Sequence, residues 1–407
     1  MLAPERRTRA DIVIAAAIAA LVAIAAVVIW FTSSARGTES VTADKTLSAP
    51  PTPSQVPTDL RELWHAPDAA AQRALVTGGV ALTADGGTVT GRDPRTGEQV
   101  WKYERDIPLC GVETQFGTVV ATYRDDRGCS QTTQLYGESG KRQTARSSYM
   151  DDAVRLSVDG TYVLALGSDR LEMWRSDLVR TLEYGKVDAP VNPHTQPRSG
   201  CELLSATSGS SRLAVLERCP KDNADRLTLL NPAPKDGTVP EEYSSHVLTE
   251  PGGAAPGARV LAVSDSRVAV FLPGVDATPP QIALFDISGN PIATYPISTN
   301  LSDQATVTRI GAVFAVFTGN SLIALNSSTL APTWTYEGAV GSPALMAGQL
   351  IVPVADGYAT LTPDSGAQNK RIPLQRSDYH GEPISLAVVG PTILERRDNQ
   401  LYAVGAP

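Results

Sequence analysis

A strand-like phrase recurs along this chain at intervals of about 45 residues, and that period constrains the fold more than any other feature. Its clearest copies read Asp169-Arg-Leu-Glu-Met-Trp-Arg175, Asp225-Arg-Leu-Thr-Leu-Leu-Asn231, Pro280-Gln-Ile-Ala-Leu-Phe-Asp286, Asn320-Ser-Leu-Ile-Ala-Leu-Asn326 and Asn399-Gln-Leu-Tyr-Ala-Val-Gly405. Each has a polar entry, an apolar body and a turn residue at its end, the pattern of one short strand. Weaker copies begin near Gly87, Gln131 and Asp356, so eight starts lie between 87 and 399 with a mean spacing of (399 − 87)/7, about 45 residues. A second apolar strand precedes each copy, as in Gly117-Thr-Val-Val-Ala-Thr122 and Arg267-Val-Ala-Val-Phe271. Four strands per repeat at this period predict an all-β propeller, whose blades bury their faces only against one another. Eight blades are expected, with seven as the alternative, because the irregular segment 185–259 also reads as one blade split in two.

Two blades share a longer signature, Asp93-x-x-Thr96-Gly97-x-x-x-Trp101-x-Tyr103 and Asn326-x-x-Thr329-x-x-x-x-Trp334-x-Tyr336. The Asp or Asn side chain can bond its own backbone two residues on, closing the hairpin between third and fourth strands. The Trp is then placed to pack on the neighbouring blade. The last repeat ends after three strands, Leu386-Ala-Val-Val389, Thr392-Ile-Leu394 and Leu401-Tyr-Ala-Val404. Glu62-Leu63-Trp64-His65-Ala66 reads like a fourth strand and is expected to complete that blade, leaving no free sheet edge. The signature at 93–101 resembles the blade motif of the quinoprotein alcohol-dehydrogenase-like (PQQ-like, BamB-like) propellers, and the likeness runs over roughly 61–407. It implies a fold more than an activity.

Residues 12–31 hold eight Ala, five Ile, four Val, one Leu, one Trp and one Phe and no polar residue. Twenty residues at ~1.5 Å rise match a ~30 Å hydrocarbon core. Arg6, Arg7 and Arg9 precede the span, which places the N-terminus in the cytoplasm and everything after Phe31 outside. Ser33-Ser34-Ala35 also fits a signal-peptide cleavage site, but the apolar run exceeds the 7–15 residues of an ordinary signal core. Residues 32–59 carry Pro50, Pro51, Pro53 and Pro57 among Ser and Thr and read as a linker. As a flexible coil it would span about 30 Å, rising towards ~85 Å as polyproline II. The expected layout is a cytoplasmic 1–11, a transmembrane helix 12–31, a linker 32–59 and an extracytoplasmic propeller 60–407. With Arg outnumbering Lys 28 to 7 and Ala abundant, the chain also resembles the alanine- and valine-rich membrane proteins of mycobacteria.

The net charge is −8, and the first 31 residues hold three Arg against Glu5 and Asp11, leaving about −9 on the rest. An acidic body repels phosphate, so nucleic-acid binding is not expected. Four cysteines form two close pairs, Cys110/Cys129 and Cys201/Cys219, and an even count in an exported body favours two disulfides. Metal ligation is the rival, but there is no Cys-x-x-Cys and His65, His194, His246 and His380 are scattered. No Cys-Cys pair of the quinone-dependent dehydrogenases occurs, nor a Gly-x-Ser-x-Gly elbow, nor a P-loop. Asp125-Asp126 and Asp151-Asp152 are adjacent carboxylates that a strand would point opposite ways. The chain therefore reads as a non-catalytic, cofactor-free scaffold for an extracytoplasmic envelope-assembly or secretion complex. The alternatives are a binding protein for an envelope lipid or saccharide and, third, a quinoprotein-type dehydrogenase. Segments 125–128, 188–200, 220–224, 249–258 and 273–280 are expected on one face as a partner-binding surface, because long loops on a rigid scaffold commonly carry function.

Overall fold

The computed structural model describes residues 8–33, 36–187 and 193–406. Its body is a ring of eight four-stranded antiparallel blades, spanning 75–105, 109–147, 155–185, 202–247, 259–296, 306–337, 344–373 and, for the last, 384–405 with 61–67. All eight strand-like phrases fall on third strands. The irregular stretch after residue 185 is the long entry to blade 4, so the count is eight. Inner strands such as Val163–Leu166 are apolar and buried on both sides, whereas the outer Pro332–Glu337 alternates with solvent. That difference follows from position, because an inner strand is covered by both neighbouring blades and an outer one sits at the rim. The buried apolar residues accordingly sort into eight clusters, each straddling one seam between consecutive blades.

The tryptophans act as pegs across these seams. Trp64, Trp101 and Trp334, each on a fourth strand, donate their indole N–H to carbonyls in the next blade's turn: Pro94 (3.0 Å), Gly137 (2.8 Å) and Pro363 (2.9 Å). A glycine faces each ring. A Cβ at Gly97, Gly140 or Gly366 would sit within 2.7 Å of the indole, and all three adopt positive φ. The hairpin signature closes as its residues require: Asp93 Oδ1 accepts from the N–H of Arg95 and Thr96, and Asn326 Oδ1 from those of Ser328 and Thr329.

Arg61–Pro67 pairs antiparallel with Gln400–Gly405 and completes blade 8, two residues longer than the segment read from the sequence. Asp68 then locks the closure. Its carboxylate is fully buried, accepts the Ala84 N–H of blade 1 (2.7 Å) and lies 3.4 Å from Arg396 of blade 8. Burial outweighs these partners and pushes the Asp68 carboxyl up to about 7. A carboxyl raised in the folded state takes up a proton on folding. Its contribution is therefore full below about pH 4, the unfolded value, and is lost as pH rises through about 7, by up to ~1.4 kcal/mol per pH unit in that window. Asp68→Asn is expected to flatten this slope. Urea unfolding of both proteins from pH 4 to 8 measures it, and parallel curves would show that Asp68 is already ionised at pH 4.

The linker differs from its expectation. Thr38–Val41 pairs antiparallel with the outer strand Gln99–Arg105 as a fifth strand of blade 1, with Lys102 between Glu39 (2.9 Å) and Glu104 (3.0 Å). The segment that follows lies against the turns joining first to second and third to fourth strands. Ala43 donates to the Ser139 carbonyl (3.0 Å), Ala49 packs on Gly79, and Pro50 packs on Gly390. Leu47, Val56 and Leu60 dock on seam clusters. Its polar, proline-rich composition hid a binding site for it on the propeller: an outer strand with a free edge, and turns whose glycines leave room for a chain. The N-terminal helix Arg9–Thr32 opens with a capping box between Thr8 and Asp11 and is long and apolar enough to cross a membrane.

Candidate functional site

In each blade the first strand starts on the face that carries the second-to-third turns, and the docked linker occupies the other face. On the first face, the connections of blades 4 to 6 pack into one surface. Asp225 donates its N–H to the Gly253 carbonyl (2.9 Å) and its carbonyl accepts from Leu248 (2.8 Å), while Arg218 holds the buried Asp225 carboxylate through two nitrogens. Gln281 donates to the Pro251 carbonyl (3.1 Å), and the Gly274 N–H donates to Asn300 Oδ1 (3.0 Å). These contacts frame a groove of about 560 Å³ lined by Asn223, Ala224, Thr249, Glu250, Gly253, Ala255 and Val275. Segment 249–258 is rich in Gly, Ala and Pro, so the groove has few side chains to fill it.

Of the five segments expected on this face, 220–224, 249–258 and 273–280 build the groove. Segment 125–128 is a tight turn in blade 2 whose Asp125 carboxylate accepts from Ser130 (2.6 Å), Gln131 (2.9 Å) and the Arg127 N–H (2.8 Å). Burial alone would raise the Asp125 carboxyl, but these bonds hold it well below the usual carboxylate range. Residues 193–200 leave the face for the rim, where Arg198 bonds Ser245 on the outer strand of blade 4 (2.7 Å) and Thr195 reaches the Thr238 carbonyl (3.1 Å). The rest of that loop, 188–192, lies outside the described residues.

Both disulfides form. Cys110–Cys129 joins the first and third strands of blade 2, and Cys201–Cys219 joins the entry and the end of the second strand of blade 4. Buried beside the second bridge is Glu217, which accepts the Tyr184 hydroxyl (2.9 Å to each oxygen) and the Thr228 hydroxyl (2.5 Å). Burial raises the Glu217 carboxyl, and burial next to Glu217 carries Tyr184 far above its ordinary value. Cys201, Cys219 and Glu217 sit together in the arrangement of three metal ligands, but the two sulfurs are consumed by each other. Asp151 caps the next blade through the Asp169 N–H (2.8 Å), and His65 packs on Tyr402.

Charged side chains inside the seams are what the sequence reading missed. Glu172 in blade 3, Glu217 in blade 4 and Glu395 in blade 8 are fully buried on inner strands, each met by arginine from its own or a neighbouring element. A lone glutamate between apolar residues, as in Leu171-Glu172-Met173, was the available signal, because a strand that must be buried cannot leave such a charge unpaired.

No family model matches the sequence, and no curated protein matches it. Among solved structures, Sqt1 of Saccharomyces cerevisiae is similar with a TM-score of 0.52 at 10% identity, over 88% of this chain and all of the other. The N-terminal domain of Nup159 is similar at a TM-score of 0.45 and 12% identity, over 88% of this chain and 99% of the other. At these identities the likeness to Sqt1 speaks for the propeller fold alone. The quinoprotein-like and mycobacterial resemblances rest on the blade signature and composition.

Proposed function

We propose that this protein is a membrane-anchored, non-catalytic scaffold whose loop-bearing face binds a protein of the extracytoplasmic envelope. The observation that carries this reading is the groove that the connections of blades 4 to 6 build together on one face. The helix joins the ring at blade 1, where Thr38 pairs with Arg105 at the end of a fourth strand that reaches the groove's face, and residues 42–60 then run along the opposite face. Six peptide units separate Thr32 from the strand beginning at Thr38, and six cannot span more than about 20 Å. The body is thus held close to the end of the helix, rather than swinging on a long stalk. Two disulfides suit an oxidising compartment outside the cytoplasm, in keeping with the arginines that precede the helix.

Photo-crosslinkers placed singly at Asn223, Glu250 and Val275 in living cells are expected to capture one protein partner in common. The same crosslinker at Glu138 or Asp364, on the linker face, is expected to miss it. Adducts from the linker face alone would overturn the assignment, as would an alkaline-phosphatase fusion at the C-terminus that stays inactive.

A further inference from the structure

The seam between blades 2 and 3 has an apolar inner half and a charged outer half, and the charged half opens as a cleft of about 490 Å³ at the rim. Three guanidiniums and two carboxylates meet there. Arg146 donates to Glu172 (2.8 Å) and to the Leu178 carbonyl (3.0 Å), while Arg170 bridges Glu172 (2.8 Å) and Glu183 (3.0 Å). Arg180 pairs with Glu183 and lies 3.4 Å from Glu172. Glu172 is saturated, because the Trp174 indole (2.8 Å) and the Ser148 hydroxyl (3.1 Å) also donate to it. The cluster therefore keeps one positive charge that no carboxylate in it balances. Arg170 is only 5% exposed, and the Nε of both Arg170 and Arg146 is buried without a hydrogen-bond partner. A buried, unmatched guanidinium is expensive unless an anion meets it. Burial, with crowding by the other two arginines, lowers Arg146 below its ordinary value against the pull of Glu172.

We propose that this cleft binds a single carboxylate group. One surplus charge matches a monoanion, whereas a phosphate dianion would replace a buried positive charge by a buried negative one. The planar fork of arginine suits the two oxygens of a carboxylate. Arg180, Arg170 and the hydroxyl of Ser147 line the approach.

The test uses the purified full-length chain in detergent, with thermal unfolding and calorimetry read against acetate, benzoate, inorganic phosphate and chloride at matched ionic strength. A short peptide with a free C-terminal carboxylate and its amidated twin form a further arm. Saturable stabilisation by a carboxylate, with none from phosphate or chloride, is the expected result. Binding of acetate or benzoate identifies a small molecule as sufficient. Binding confined to the free-carboxylate peptide identifies a carboxylate borne by a protein. Arg180→Gln is expected to weaken binding at least tenfold. Glu183→Gln raises the surplus from one charge to two and is expected to tighten binding and admit phosphate, a gain that misfolding cannot mimic. The proposal falls if no carboxylate acts saturably on the wild-type chain, if phosphate acts equally well there, or if both variants bind as the wild type does.

Discussion

A chain begun at residue 60 is expected to unfold as one cooperative unit, and a chain begun at residue 69 is expected to have no such transition. The second lacks only Leu60, Arg61–Pro67 and Asp68 by comparison, but these supply the whole outer edge of blade 8, place Leu63 and Trp64 in its seam to blade 1, and bond blade 1 through Asp68. Trp64 alone, partly buried and bonded to Pro94, contributes up to about 3 kcal/mol. The seven-residue ladder and the Asp68 lock come on top of that, against a total stability of ~5–15 kcal/mol for a domain. Loss of the strand also frees the edge Gln400–Gly405 for pairing between molecules. Circular dichroism during thermal unfolding, with size-exclusion chromatography, distinguishes the two chains. A cooperative, monomeric chain begun at 69 would mean that the ring does not need this closure.

Glu395→Ala is expected to cost about 3–5 kcal/mol. Glu395 is fully buried between Arg376 and Arg397, each with a side chain 1% exposed. Arg397 passes the network on to Glu62 of the closing strand, and Arg376 also donates to the carbonyls of Val354 (2.7 Å) and Gly357 (2.8 Å) in blade 7. Removal of the carboxylate leaves two buried guanidiniums facing each other across the last seam. Replacement of all three residues by apolar ones of similar volume is expected to recover most of the loss, since the penalty is for unpaired charge rather than lost attraction. Denaturant titration of the single and triple variants measures both. A single variant within 1 kcal/mol of wild type would show that water reaches the seam.

These networks explain how an acidic chain with modest charge content builds a rigid ring. Each seam needs a specific neighbour, and apolar strands of nearly identical pattern would pair almost equally well in the wrong order. A buried charge that is matched at only one seam penalises misassembly. The same device leaves the seam of blades 2 and 3 with its surplus of one guanidinium.

Much of this was legible in the residues. Eight strand-like phrases at a fixed period predict eight blades because a strand buried on both sides must be apolar along its length, and turn residues must separate such strands. Asp93 and Asn326 announce their hairpins because an Asx side chain bonds only its own local backbone. The missing fourth strand of blade 8 called for Trp64 because a free edge is costly. The cysteine pairs followed from even count and close spacing.

What the tertiary structure alone decided concerns non-local partners. A proline-rich segment has no pattern that says whether it hangs free or lies on a surface, and only the open edge of Gln99–Arg105 and the glycine turns beneath it place residues 38–60. Residues 193–200 and 249–258 look alike as loops, yet one runs along the rim and the other builds a groove, because their anchors lie in different blades. Local composition determines the strand, the turn and the apolar helix, since those depend on neighbours in sequence. Some arginine–glutamate pairs are local, as Arg170 with Glu172, but others join residues tens to hundreds of positions apart, as Arg397 and Glu62 are, and only the closed ring brings those together.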